Sequence, residues 1–281
     1  MEVNIAVWKL SAQGQDPAVR QALTALTLDE AARQMPGGAY TTFRTFQRSR
    51  VLRLSEHFLR LEETARLAGY PLVVDRERIR AALQQAIANF SAEESRVRVT
   101  LDLEQEVGAL YLLLEPLHVP PPAAYTQGVR VVTVPLQRQN PKAKLTGFIE
   151  TASRVRQSLP AGVNEAVMIG SDGSLLEGLS SNFFAVVNGV IWTAEQGVLS
   201  GITRSLVLEA AQALDFPLRL ESLPAKDLPA VAEAFITSAS RAVLPVTVID
   251  EQLVGNGQPG PVTLSLLQRY HEMIEQALET I

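Results

Sequence analysis

The chain has 281 residues, of which 47% are hydrophobic and 20% charged, the composition of a folded globular protein rather than a disordered or fibrous one. It holds no cysteine and three scattered histidines, His57, His118 and His271, which excludes disulfides, thiolate nucleophiles and zinc or iron–sulfur motifs. Twenty-five basic against 30 acidic residues give a formal charge of −5, the wrong sign for the basic stripe of a nucleic-acid binder.

The opening Met1–Lys9 lacks a basic stretch ahead of a long apolar one, so it does not read as a signal peptide, and the cytoplasm is the expected address. The longest apolar run, Val107–Leu114, is far short of the ~20 residues of a membrane helix. Ser55 is expected to cap a helix running to Leu67, with Phe58, Leu61, Ala65 and Ala68 on one face. Arg76–Phe90 reads as a second helix, with Ile79, Ala82, Leu83, Ala86 and Ile87 at helical spacing. Val97–Leu114 reads as two strands around a polar turn at Glu104–Glu106. Glu115–Gly128 then carries Pro116, Pro120, Pro121 and Pro122, a density expected to forbid a helix. A domain boundary is placed there, giving an N-terminal domain 1–117, a linker 118–128 and a C-terminal domain 129–281. Beyond it, strands are expected at Val129–Val134, Glu165–Ile169, Phe183–Val187, Val190–Thr193, Ala234–Thr237 and Val246–Ile249. Helices are expected at Thr203–Leu214 and Val262–Leu278. Strands and helices mixed in both halves indicate an α/β (α+β) protein of two domains.

Several segments have residue types suited to chemistry. Gly255-Asn-Gly257-Gln-Pro-Gly260 has the dinucleotide-binding spacing, but too little chain follows it to complete a βαβ unit, so it reads as a glycine-rich loop. Leu199-Ser-Gly-Ile-Thr-Arg204 opens a helix and is either a phosphate seat of free N–H groups or an ordinary start capped by Thr203. Glu177-Gly-Leu-Ser-Ser-Asn182 is either a buried acid beside a ligand or a solvated polar turn. Lys142 and Lys144 stand two apart, as edge-strand lysines often do. Alternation in Ser95–Leu101 puts Arg96 and Arg98 on one strand face, either as carboxylate clamps or as solvated side chains.

Taken together, these segments resemble the class IV pyridoxal-phosphate aminotransferases, a family that includes branched-chain and D-amino acid aminotransferases and aminodeoxychorismate lyase. The resemblance is carried by the succession of Tyr40-Thr-Thr-Phe-Arg-Thr-Phe46, Glu56-His-Phe-Leu-Arg-Leu61, Lys144, Asn164–Gly173, Glu177–Phe184, Leu199–Arg204 and Thr237–Pro245. It implies a two-domain fold of type IV with the cofactor, pyridoxal 5'-phosphate, in the cleft between domains. It also implies a homodimer, and an amino acid and a 2-oxo acid as substrates. Lys144 would form the Schiff base and carry the proton at the substrate Cα. Glu177 would face the pyridine nitrogen. Arg60, Ile202, Thr203 and Ser240 would hold the phosphate, with a solvated Arg60 as the alternative; Gly201 and Ser238 would also bind the cofactor, and Leu199 would pack on the ring. Asn182 would be structural. Tyr40, Arg44 and Arg98 are the substrate-pocket candidates.

The first ~30 residues diverge from the common family opening, and three later positions depart from the family pattern. Phe148 stands where relatives often have a tyrosine, Thr41 where they often have a glutamate, and Ala239 where a phosphate threonine is usual. The expected reaction is transamination. Its alternatives are β-elimination of the aminodeoxychorismate lyase type, releasing pyruvate, and a binding protein that keeps the fold without turnover.

Overall fold

The structure, a computed structural model, describes residues 5–14 and 16–281, so Met1–Asn4 of the opening segment lie outside the described residues. The described chain divides into two compact units. One takes the residues up to His118 with Ala143–Ser153 and Ala277–Ile281; the other takes Val119–Lys142 and Arg154–Gln276. Lys144 thus belongs with the first unit, although the sequence placed it in a domain running from 129 to 281.

The first unit is built on an antiparallel sheet. Its strands are β1 (Ala6–Leu10), β2 (Val19–Gln21), β3 (Gly38–Arg44), β5 (Ser95–Asp102) and β6 (Leu110–Pro116), in the order β2-β1-β6-β5-β3. A short strand β4 (Arg50–Leu52) pairs instead with the C-terminal strand Leu278–Thr280. Val97, Val99, Leu101, Leu110, Leu112 and Leu114 lie on one sheet face, against the helices α2 (Leu54–Leu67) and α3 (Arg76–Ala88). Residues of opposite parity, Tyr40, Tyr111 and Leu113, pack on the other face with Leu28, Ala31 and Ala32 of α1 (Leu28–Arg33). Both faces are therefore covered, which explains why β6 reads as a continuous apolar run.

Two local expectations are corrected here. Helix α2 is preceded by Arg53 in the left-handed region, not capped by Ser55. The Ser55 amide and hydroxyl instead donate to the Glu279 carboxylate, at 3.1 and 2.6 Å, so a residue 224 positions away satisfies the helix start. Helix α1 was not anticipated, although Thr27 followed by Glu30 is a capping signature: the Thr27 hydroxyl accepts from the Glu30 amide at 3.2 Å.

The second unit opens with α4 (Pro122–Gln127), inside the proline-rich stretch where no helix was expected. Pro122 occupies the first helical turn, where its missing N–H has no intrahelical acceptor to lose. A large sheet follows, with β7 (Val129–Pro135), β8 (Val163–Ile169), β9 (Leu175–Gly178), β10 (Asn182–Val187), β11 (Val190–Trp192), β12 (Leu218–Arg219), β13 (Glu233–Ser238), β14 (Ala242–Ile249) and β15 (Gln252–Leu253). The path runs β12-β11-β10-β13-β14-β7-β8-β9, and β9 also pairs with β10, closing the sheet on itself. Helices α6 (Ile202–Ala213) and α7 (Pro261–Ala277) complete the set, while α5 (Gly147–Gln157) begins in the first unit and ends in this one. The glycine-rich loop before α7 offers no anion seat. The Glu233 carboxylate takes the Val262 and Thr263 amides at 3.1 and 2.7 Å, and a Cβ at Gly260 would lie 2.1 Å from that carboxylate.

Candidate active site

In the first unit the site residues gather on the free edge of β3. Residues 144–146 run along that edge: the Tyr40 amide donates to the Lys144 carbonyl, and the Thr146 amide to that of Gly38, both at 2.9 Å. From the α2 side, the Thr64 hydroxyl accepts the Lys144 amide at 3.2 Å. The backbone of Lys144 is thereby pinned between strand and helix, and its Nζ stands 4.7 Å from the centre of the Tyr40 ring. Lys142, two residues earlier, belongs to the second unit and donates there to the Glu195 carbonyl at 2.7 Å.

Arg60 is a partly buried guanidinium rather than a fully solvated one. Its Nη2 donates to the Thr41 hydroxyl at 2.6 Å and lies 3.1 Å from His57 Nδ1, while its Nε is buried without a hydrogen-bond partner. Burial pushes its pKa down to about 10, against the opposing pull of Tyr40 and Glu56. His57 Nδ1 is also 2.6 Å from Thr41 Oγ1. Arginine only donates, so Nδ1 accepts and the ring proton sits on Nε2. Burial holds the His57 pKa well below its usual 6.5, with Arg60 and Lys144 acting in the same direction.

In the second unit, sheet closure brings Glu177, near the end of β9, opposite Asn182, at the start of β10. Glu177 is buried, with Oε1 2.9 Å from Arg138 Nε. Its Oε2 accepts from Asn182 Nδ2 and from the Leu199 amide, both at 3.2 Å. Asn182 also donates to the Leu199 carbonyl at 2.8 Å, so it ties the carboxylate strand to the loop before α6. That contact explains Gly201: a Cβ there would fall 2.1 Å from Asn182 Oδ1. Gly201 is the N-cap of α6 and supplies no side-chain cap; Thr203 is inside the helix rather than capping it. The first amides of α6 thus have no intrahelical acceptors, beside the buried Leu199, Ile202 and Thr203.

Other expected residues are already engaged. Arg98 is buried, donates to Asp29 Oδ1 at 2.8 Å and to the Leu28 carbonyl at 3.1 Å, and its guanidinium carbon lies 5.1 Å from the Tyr40 ring centre. Arg44 is ion-paired with Glu94 and lies over Phe46, 4.3 Å from the ring centre. Neither is presented as an open carboxylate clamp, because α1 covers the face of Arg98 and Glu94 takes the charge of Arg44. Ser238 Oγ accepts from Arg241 Nε at 3.0 Å, with Ser240 in the same β13–β14 turn. Arg241 also donates to Glu165 at 2.9 Å and to the Ser180 hydroxyl at 2.8 Å. Burial pushes the Glu165 carboxyl up, but Arg241, Arg156 and the Ser180 hydroxyl outweigh it and hold it below the usual range.

Thr41, His57, Arg138, Glu165 and Arg241 were not singled out as functional from the sequence. His57 precedes Arg60 by one helical turn, a signal that could have linked them. Arg138 lies in coil, with no local pattern to mark it.

The first unit thus holds an amine over an aromatic face and a partly buried arginine, and the second an anchored carboxylate and an uncapped helix start, features that suit a phosphorylated pyridine cofactor. They point to an aminotransferase-type enzyme. The sequence model of the amino-transferase class IV family matches residues 38–249, and the chain belongs to that family. It is therefore an enzyme of pyridoxal-phosphate-dependent transamination. The branched-chain-amino-acid aminotransferase of Pseudomonas aeruginosa is 26% identical over 252 residues, covering 84% of this chain and 82% of its own. The D-alanine aminotransferase of Bacillus licheniformis is 26% identical over 265 residues, covering 85% and 88%. A branched-chain aminotransferase from the archaeon Thermoproteus uzoniensis, crystallised with norvaline, shares the fold at a TM-score of 0.78, 22% identity and coverage of 98% of each chain.

Proposed function

We propose that Lys144 is the lysine that holds the cofactor and carries the proton to and from the substrate Cα, and that Glu177 sits at the pyridine nitrogen. Arg60 and the α6 start at Gly201, Ile202 and Thr203 hold the phosphate, Ser238 and Ser240 flank it, and Leu199 packs against the ring. The observation that carries this reading is the Arg60 guanidinium, partly buried with a hydroxyl and an imidazole rather than a carboxylate as its hydrogen-bond partners, which suits it to an oxyanion. Bound pyridoxal phosphate supplies an electron sink for the charge that develops at Cα. Glu177 would face the pyridine nitrogen and hold a proton there, and its carboxylate is anchored by Arg138 and by the Asn182 and Leu199 N–H groups. Tyr40 orients the Lys144 ammonium through its ring face.

The donor is a branched-chain or D-amino acid, by analogy with the Pseudomonas and Bacillus relatives, and the acceptor a 2-oxo acid. The same reading includes a homodimer in the cytoplasm. The described residues contain no helix long and apolar enough to cross a membrane. Borohydride reduction of the cofactor-loaded protein should fix the cofactor on the peptide bearing Lys144. Fixation on Lys142, or none, would overturn the assignment. A panel of branched-chain L-amino acids and D-alanine with 2-oxoglutarate identifies the donor. Pyruvate release from aminodeoxychorismate without transamination would move the reaction to β-elimination, and the solution mass tests the dimer.

A further inference from the structure

The buried arginines among the described residues, and the partly buried Arg241, meet a carboxylate. Arg98 is 2.8 Å from Asp29, Arg138 2.9 Å from Glu177, Arg204 2.7 Å from Glu195 and Arg241 2.9 Å from Glu165. Arg60 is different: its hydrogen bonds go to the Thr41 hydroxyl and to the His57 ring, both neutral. Thr41 is fully buried and its oxygen links the two, accepting from Arg60 at 2.6 Å and donating to His57 Nδ1 at 2.6 Å. His57 is itself buried and held edge-on to Phe43, with ring centres 5.0 Å apart.

Resting on the reading that Arg60 binds the cofactor phosphate, we propose that Thr41 and His57 are positioning residues that fix the Arg60 guanidinium for that phosphate through a hydroxyl and a neutral imidazole. A carboxylate at hydrogen-bond distance would orient a guanidinium equally well, but would cancel much of the field that an incoming anion feels. A hydroxyl and an imidazole satisfy the directional requirement and leave the charge in place. The arrangement has one consistent set of protons. Nδ1 accepts from both neighbours, because Arg60 has nothing but donors and the Thr41 hydroxyl has one proton to give. Fixing the side chain beforehand also removes rotamer entropy that would otherwise be lost on binding.

The test compares two ligands on the cofactor-free protein, pyridoxal 5'-phosphate and phosphate-free pyridoxal, each titrated by absorbance. Thr41→Val should weaken pyridoxal phosphate roughly tenfold, about 1.4 kcal/mol, and leave pyridoxal unchanged within about twofold. Thr41→Ser, which keeps the hydroxyl, should restore the phosphate preference. Equal weakening of both ligands by Thr41→Val, or no weakening, overturns the proposal. His57→Leu supplies the same comparison should Thr41→Val fail to fold. Arg60→Met separates the two levels. If it leaves the preference for the phosphorylated ligand intact, the reading of Arg60 fails. If it abolishes that preference while Thr41→Val does not lower it, the positioning role alone fails.

Discussion

Arg138 is a buried guanidinium and Arg60 a partly buried one, one in each unit, and their surroundings are opposite in kind. Arg138 stands 2.9 Å from the buried Glu177, so its charge is met by a carboxylate within the protein. Arg60 is held by a hydroxyl and a neutral ring, and burial has lowered its pKa to about 10. The first arrangement stabilises a piece of the framework. The second has no carboxylate among its hydrogen-bond partners, so more of its positive charge is left for an incoming anion to meet. Local stability and ligand affinity are therefore assigned to different arginines, and substitutions at the two should respond differently.

The widest separation is expected from Glu177→Ala. It leaves Arg138 buried without its carboxylate and should cost roughly 3–5 kcal/mol of stability in denaturant unfolding. A loss below about 1 kcal/mol would mean that the pair does not support the framework as described. Arg60→Met should do the reverse. The cofactor-free protein is expected to be at least as stable as the parent, while pyridoxal phosphate binding weakens roughly ten- to a hundredfold. A parallel loss of stability and affinity would erase the distinction between the two arginines. Gly201→Ala presses a methyl group against Asn182 Oδ1, the residue that steadies Glu177, and should cost about 1–3 kcal/mol along with cofactor affinity.

The smallest effect is a dependence on pH. His57 has a folded pKa well below 6.5, so between that lowered value and 6.5 the unfolded chain binds a proton that the folded chain does not. Stability should therefore fall as pH drops below about 6.5, and His57→Asn should flatten that arm of the melting curve. Glu165, held below its usual 4.5, contributes stability that is lost only at more acidic pH, as pH falls through its folded value. The two arms separate by pH range, and an unchanged arm near pH 6 in His57→Asn would exclude a buried neutral imidazole.

Much of this was legible in the order of short motifs. Lys144, Glu177 and the glycine-led start of α6 stand out because their chemistry is written in neighbouring residues: a small-residue loop, an acid before a tight turn, a glycine before a helix. Elements with a strong period, such as β5, β6, α2, α3 and α7, were recognisable within a few residues. Helix α4 was missed because proline density was weighed without regard to position, and proline is tolerated in the first helical turn. Strand alternation tells which face Arg98 occupies, and not that α1 covers that face.

By itself, then, the sequence determined the mixed α/β class, the family, the cofactor and the succession of site motifs, since these depend on local pattern and residue chemistry. Only the tertiary structure decided which charges are cancelled. Arg138 meets Glu177, Asp29 takes Arg98, and Arg60 is left with Thr41 and His57 because strands and helices distant in the chain pack side by side. The electrostatic state of a buried group depends on the neighbours within a few ångströms, and those neighbours are assigned by packing.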